Sequence, residues 1–392
     1  MAYLKRSKSA TIDIRINTCA YRVPELFQRF AQHLSRARSI VIQGPPGVYA
    51  VSSLLLSNPA PTLESLEIYA REGPEQDLHG FLGQQAPSLR SVILHGISPV
   101  LEPPLSLPSL TTFHLNLPDA GRSHLTSRSL FQFLSTCPLL QEIEIGISSE
   151  TFEGVALDRV ISLESLVKLE YRGFAAGRVL PHLRLPRLRR LGVTSTWLGG
   201  QMHKLVDVLP HGGRVLLAEA TKIHYSSGIS TQSVVFFAEG THVSVAAICP
   251  MGSVSVDWFS DGSCIPFKQI RDLNVEGLCI PPTFSFDPFE NLTIFRLTSF
   301  HTEHIDGFLR SLYPDPGRGI PCPFLREIRC TSRVHPGQIV RSIISLVRER
   351  DQAGYRLELV CIFGTPKLDD DLEEELKSYV GELQVRFLEE ST

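Results

Sequence analysis

No charge of one sign dominates this sequence: 38 lysines and arginines stand against 41 aspartates and glutamates, giving a formal net charge of -3 and a pI near 6.5. Without a basic excess there is little to neutralise phosphates, so nucleic acid and anionic membrane are excluded as default partners. Cysteine is sparse and widely spaced. The eight residues (Cys19, Cys137, Cys249, Cys264, Cys279, Cys322, Cys330 and Cys361) include no Cys-x-x-Cys pair, which argues against a zinc knuckle and a disulfide framework. They read as small core residues of a reduced compartment. No apolar run long enough to span a bilayer is free of charge or proline. The start at Met1 is cationic, but charges interrupt the apolar pattern over Thr11-Ile-Asp-Ile-Arg-Ile-Asn17 and leave no signal core. The expectation is a soluble, monomeric protein of the cytoplasm or nucleus.

What is present is repetition. At 392 residues, 43% hydrophobic, the chain is too long for one ordinary compact domain and must be two domains or an elongated array. One phrase recurs: a proline or small residue, then Leu-x-x-Leu-x-Leu with aliphatic substitutions. It runs Leu63-Glu-Ser-Leu66-Glu-Ile68, Leu89-Arg-Ser-Val92-Ile-Leu94, Leu110-Thr-Thr-Phe113-His-Leu115, Leu140-Gln-Glu-Ile143-Glu-Ile145, Leu166-Val-Lys-Leu169-Glu-Tyr171 and Leu188-Arg-Arg-Leu191-Gly-Val193. It resumes at Ile270-Arg-Asp-Leu273-Asn-Val275, Leu292-Thr-Ile-Phe295-Arg-Leu297 and Leu325-Arg-Glu-Ile328-Arg-Cys330. Leu66 to Val92 is 26 residues, Val92 to Phe113 is 21 and Phe113 to Ile143 is 30, an uneven version of the leucine-rich-repeat period. The last two apolar residues of each phrase alternate along a short strand and face inward. Helical spacing over Leu125–Leu134, Gly200–Leu209 and Glu303–Tyr313 would supply the return legs.

The expected fold is therefore α/β: an irregular leucine-rich-repeat solenoid, a horseshoe with a parallel concave sheet and helices or loops on its convex side. Residues 1–58 read as degenerate first repeats, with strands at Thr11–Ile16 and Ser39–Gln43 joined by a helix over Pro24–Leu34. Clear repeats occupy 59–195 and 267–365. The stretch 196–266 reads as divergent repeats or a hairpin-like insertion, from the alternation at Val234–Phe237, His242–Ala246 and Ser253–Trp258. Residues 366–392, after a last strand at Tyr355–Ile362, supply an acidic helical cap of the kind a solenoid needs at an exposed end.

Motifs for chemistry are missing where they would be sought. Gly44-Pro-Pro-Gly47 follows a strand but lacks the Gly-Lys-Ser/Thr of a phosphate loop and reads as a turn. His301-Thr-Glu-His304 is not His-Glu-x-x-His and suits a capped helix start better than a metal site. His211-Gly-Gly213 has no nucleophile elbow to serve, and Asn291-Leu-Thr293 reads as an unmodified strand start. The acidic runs at Asp369–Asp371 and Glu373–Glu375 suit a solvated face, and Arg184, Arg187, Arg189 and Arg190 place their stems at a strand edge with their heads in water. No enzyme activity, cofactor or metal is expected.

The residues that alternate with the inward pair would line the concave face. They are Glu67 and Tyr69, Ile93 and His95, His114 and Asn116, Glu144 and Gly146, Glu170 and Arg172, Gly192 and Thr194, then Asn274 and Glu276, Arg296 and Thr298, Arg329 and Thr331. From these, Tyr69, His95, His114, Asn116, Glu144, Glu170, Arg172, Thr194, Asn274, Glu276, Arg296 and Arg329 are the candidate protein-binding residues. The mix of aromatic, imidazole and charged groups suits recognition of a protein, since tyrosine and arginine often anchor interfaces.

The opening Tyr3-Leu-Lys-Arg-Ser7, the phrase Ile12-Asp-Ile-Arg-Ile16, the Leu26–Leu34 helix with Arg36-Ala-Arg-Ser-Ile-Val-Ile42, and phrases such as Phe324-Leu-Arg-Glu-Ile328 resemble the fungal F-box/leucine-rich-repeat family. In that family an N-terminal F-box docks the Skp1 adaptor of a cullin ubiquitin ligase and the repeats select the substrate. No F-box helix set precedes Ile12. The resemblance thus implies the substrate-recognition part of a ubiquitin-ligase receptor, with the Skp1–cullin link doubtful. The alternative is a stand-alone structural or sensing repeat protein.

Overall fold

The computed structural model describes residues 10–17, 32–44, 59–70, 86–97, 99, 101, 107–117, 125–147, 160–173, 176–196, 209–211, 217–227, 231–238, 241–248, 265–277, 285–299, 309–315, 317, 319–332, 336–364 and 369–387. Of the Gly200–Leu209 helix reading, all but Leu209 lies outside these residues, as does the Ser253–Trp258 reading. So do Pro24–Ala31, Pro45–Gly47, Gly212–Gly213, His301–Asp306 and the Tyr3–Ser7 phrase. Two units divide the chain: Met1–Thr196 with Asp207–Gly213, and Trp197–Val206 with Arg214–Thr392.

The first unit is a parallel sheet in chain order. Its strands are β1 (Ile12–Asn17), β2 (Ala37–Gly44), β3 (Ser65–Ala70), β4 (Ser91–His95), β5 (Thr112–Leu117) and β6 (Glu142–Ile147). Two-residue β7 (Ile161–Ser162) precedes β8 (Lys168–Gly173), and two-residue β9 (Leu183–Arg184) precedes β10 (Arg190–Thr196). β7 and β9 pair with each other apart from the main sheet. From β3 to β10 the main-sheet strands pair in step, so Leu66, Val92, Phe113, Ile143, Leu169 and Leu191 form one continuous inward row. Ile68, Leu94, Leu115, Ile145, Tyr171 and Val193 form the next, and every member of both rows is at most 2% exposed. Burial of an aliphatic side chain contributes about 1.5–3 kcal/mol, so these rows are the principal cohesion of the unit.

A second recurrence sits three residues ahead of each inward row. Leu63, Leu110, Leu140, Leu166 and Leu188 each donate a backbone N–H to the carbonyl three residues earlier, on Ala60, Leu107, Cys137, Leu163 and Leu185, at 3.0–3.3 Å. Both residues of each turn are buried. The next residue reaches back one repeat: Arg90 N–H to Glu64 O, Thr111 to Arg90 O, Gln141 to Thr111 O and Val167 to Gln141 O, all 2.8 Å. Each turn thereby satisfies backbone groups that burial would otherwise leave unpaired. Hydroxyls add to this stacking, with Ser88 Oγ donating to Pro61 O at 2.8 Å. Helix α1 (Ser127–Ser135) opens on a capping box between Thr126 and Ser129 and buries Leu130, Phe131, Phe133 and Leu134. The Phe133 ring lies 5.1 Å from that of Phe113. A single turn, α2 (Ala176–Val179), lies between β8 and β9.

The second unit holds β11 (Lys222–Ser227), β12 (Thr231–Ala238), β13 (Thr241–Ile248), β14 (Asp272–Gly277), β15 (Ile294–Ser299), β16 (Glu327–Ser332), β17 (Leu357–Gly364) and β18 (Val380–Phe387). The repeat resumes earlier than its phrase shows. β11 pairs in parallel with β14, aligning Ile223 with Leu273 and Tyr225 with Val275, and Ala220 closes on Leu217 in the same three-residue turn. β12 and β13 form an antiparallel hairpin on the other side of β11. From β14 onward each strand pairs in parallel with the next.

Two elements at the C-terminal end depart from expectation. Helix α3 (Pro336–Gln352) buries Ile339, Val340, Ile343, Ile344, Leu346 and Val347. Tyr355–Ile362 is not the last strand, because the acidic helix α4 (Asp370–Tyr379) leads directly into β18, paired with β17. In Val380-Gly-Glu-Leu-Gln-Val-Arg-Phe387 Leu383 and Val385 alternate with polar Glu382, Gln384 and Arg386, so period-two patterning continues beyond the acidic run. No described helix is long and apolar enough to cross a membrane.

Candidate functional site: the polar face of the sheet

The side chains that alternate with the inward rows form ladders of their own. In the first unit Glu67, Ile93, His114, Glu144, Glu170 and Gly192 align strand by strand, and Tyr69, His95, Asn116, Gly146, Arg172 and Thr194 align two positions on. Asn116 and Arg172 are exposed, and most of the others are half-buried by their cross-strand neighbours. The same rows extend back to Val41 and Gln43 on β2 and to Arg15 and Asn17 on β1. Sequence reasoning left those four out, although Ile40-Val-Ile-Gln43 carries the same alternation.

Interactions tie this face together. The Tyr69 and His95 rings stack with centroids 4.9 Å apart at 13°, and the Tyr69 hydroxyl donates to Glu67 Oε2 at 3.1 Å. Burial and then the Glu67 charge push the Tyr69 phenol up from its ordinary pKa. Burial holds the His95 imidazole below its usual value, outweighing the opposite pull of Glu144. Glu142, one step before the first ladder, accepts from Lys168 Nζ at 2.7 Å and lies 3.3 Å from His114 Nε2. The Lys168 hydrogen bond holds the Glu142 carboxyl below the usual carboxylate range. Arg172 reaches Glu144 at 3.5 Å.

Two glycines make room for their neighbours' side chains. A Cβ on Gly146 would meet Asn116 Oδ1 at 2.7 Å, and one on Gly192 would meet the Glu170 carboxylate at 2.0 Å. Asn116 and Glu170 thus lie flat across the adjoining strand. At the β1–β3 end, beside the Arg38–Asp13 pair at 2.8 Å, a shallow hollow of about 480 Å³ includes Arg15, Val41 and Ser65.

In the second unit one ladder runs His224, Asn274, Arg296, Arg329, Cys361 and Gln384, and the other Ser226, Glu276, Thr298, Thr331, Phe363 and Arg386. His224, Ser226 and the β17 and β18 members were not foreseen. Most charges here are matched: Arg296 with Asp272 at 2.5 Å, Arg329 with Glu327, and His224 near Glu276 at 3.4 Å. Phe237 of the hairpin receives Lys222 Nζ 5.6 Å from its ring centroid and lies 5.2 Å from the His242 ring.

Arg184, Arg187, Arg189 and Arg190 are exposed while Leu183, Leu185, Leu188 and Leu191 are buried. Asn291 donates to Lys268 O at 2.6 Å, and Glu373 pairs with Lys377 along α4. Cys137, Cys322, Cys330 and Cys361 are buried free thiols. Among the described residues no three histidine, cysteine or acidic side chains group to hold a metal.

These observations define, within each of the two units, a mostly parallel sheet built on a recurring strand-and-turn phrase, with a buried apolar face and a half-exposed polar face. No family model and no curated protein matches the chain. Among solved structures it is similar to one titled as the crystal structure of a TLR13–ssRNA13 complex, at 14% identity and a TM-score of 0.33. The alignment covers 96% of this chain and 42% of that one, so the chain spans less than half the length of the structure it matches.

Proposed function

We propose that the chain is a non-catalytic protein-binding repeat protein and that the polar face over β3–β8 is its docking surface. The observation that carries this reading is the Tyr69–His95 stack set beside Glu67, Glu144, Glu170 and Arg172 on five adjacent, rigidly paired strands. Aromatic and charged groups held on regular strands are pre-organised, which lowers the ordering cost of binding. The test is affinity capture from a lysate of the source cells with wild type, with Glu144→Lys, Glu170→Lys and Arg172→Glu combined, and with the exposed Arg326–Glu358 pair swapped as a control. Circular dichroism checks that each folds. A protein recovered by wild type and control and lost by the face variant supports the reading; equal recovery by all three contradicts it.

Within that reading, the chain serves as the substrate-recognition part of an F-box-type ubiquitin-ligase receptor, which the resemblance of its N-terminal phrases and repeats supports. Co-purification of Skp1 and a cullin with the protein from its source cells is the expected result. Their absence would favour a stand-alone structural or sensing role.

A further inference from the structure

Building on the reading of β3–β8 as a docking surface, we infer that its occupant is an extended, basic protein segment whose two cationic side chains lie about six residues apart. On this face four carboxylates meet two cations. Lys168 is taken up by Glu142 at 2.7 Å and Arg172 by Glu144 at 3.5 Å. Glu67 and Glu170 remain, with no cation in ion-pair distance of either among the described residues. Glu67 accepts only a neutral hydroxyl from Tyr69, and Glu170 lies across the open backbone of Gly192. Burial favours the neutral form of the His95 imidazole that stacks on Tyr69. Among the described residues Glu67 and Glu170 are therefore the carboxylates of β3–β8 outside ion-pair distance of a cation, one at each side, and the charge of Arg15 on β1 reaches Tyr69 beyond the Glu67 side.

Their separation follows from the register. Glu67, Ile93, His114, Glu144 and Glu170 share one row on five consecutive strands, so four inter-strand steps of roughly 4.8 Å put Glu67 and Glu170 about 19 Å apart. An extended chain lying across the strands covers about 3.3 Å per residue, so about six residues bridge that distance and both side chains point to the same face. One strand in from Glu67, half-buried Ile93 beside the Tyr69–His95 stack suits an apolar residue two positions after the first cation.

The test uses the full chain and a fluorescent eleven-residue peptide with arginine at positions 3 and 9, leucine at position 5 and serine or glycine elsewhere. Two comparison peptides carry glutamate at 3 and 9, or arginines at 3 and 5. By fluorescence anisotropy the first peptide is expected to bind most tightly, and to lose affinity about three- to tenfold with Glu67→Gln and again with Glu170→Gln, as charge-assisted contacts on a half-exposed face would. Glu290→Gln, on an exposed turn, is expected to change nothing. Binding of the glutamate peptide as tightly as the arginine peptide, indifference to both carboxylate variants, equal binding of the closely spaced peptide, or no binding of the first peptide would each overturn the inference. Loss of lysate capture in the face variant alongside any of these results would leave the docking surface standing and remove only the basic occupant. Peptide binding without face-dependent capture would do the reverse.

Discussion

Arg350 is wholly buried near the C-terminal end of α3 and, among the described residues, forms no ion pair with a carboxylate. Its Nη1 donates to Leu312 O at 3.3 Å and Pro321 O at 2.9 Å, and its Nη2 to Cys322 O at 2.9 Å. One planar fork thereby fastens the backbone before β16 to the helix after it. Replacing it with methionine fills similar space but removes all three donors. Cys322 O keeps the Leu325 N–H at 3.0 Å, so the principal loss falls on the Leu312 and Pro321 carbonyls. A hydrogen bond to a charged group contributes about 1.5–3 kcal/mol net of the charge's desolvation cost, so the three together outweigh the roughly 1.5–3 kcal/mol of apolar burial that methionine would add. Burial already pulls the Arg350 pKa below its ordinary value, so that cost is present in the folded chain. The expected net effect of Arg350→Met is a loss of about 2–4 kcal/mol. Arg350→Lys should lose a similar amount, because one ammonium cannot reach three carbonyls in the geometry a guanidinium spans. Urea unfolding gives the magnitude. Hydrogen exchange places it: amides of Leu325 and Val347 should exchange faster while those of Ile143 and Leu169 do not, as nearest-neighbour coupling in repeat proteins requires. Stability of Arg350→Met within about 0.5 kcal/mol of wild type, or above it, would refute this reasoning.

Gly173 ends β8 at φ 137°, and a Cβ there would meet the Ile147 carbonyl oxygen at 1.7 Å; Gly173→Ala should therefore lower stability by at least about 2 kcal/mol in the same urea assay. Burial pushes the thiol pKa of Cys137 up to about 11 and those of Cys322 and Cys330 up to about 12, so a thiol reagent at pH 8 should leave these three unmodified in the folded chain and label them in urea. Glu142, its pKa lowered chiefly by Lys168, contributes stability that is present above its unfolded pKa and lost as pH falls through its lower folded value. That acid sensitivity, below about 1 kcal/mol for so exposed a pair, should diminish in Lys168→Met when urea midpoints at pH 7 and pH 3 are compared.

The parallel repeats were readable from sequence because two constraints coincide at each: the alternating inward pair, such as Leu66 and Ile68, and the leucine three residues earlier that closes a tight turn. Where one constraint weakens, the reading weakens with it. Ile223 and Tyr225 keep the alternation, but the turn closes on Ala220 rather than a leucine, so β11 was not recognised as a repeat strand. β18 was hidden because its outward residues Glu382 and Arg386 continue the charge of the helix before it. The polar ladders could be assigned over most repeats because strand side chains alternate. Which of those residues are ion-paired could not, since the Lys168–Glu142 and Arg172–Glu144 contacts, between residues 26 and 28 apart in sequence, depend on the register of β6 with β8.

The docking surface is tested most directly by carboxyl footprinting of the chain alone and bound to its captured partner. Protection of Glu67, Glu144 and Glu170, with exposed Glu290 and Glu358 labelled equally in both states, is the result expected of a partner seated on β3–β8. Unchanged labelling of the three face carboxylates, with protection confined to other sites, would contradict it.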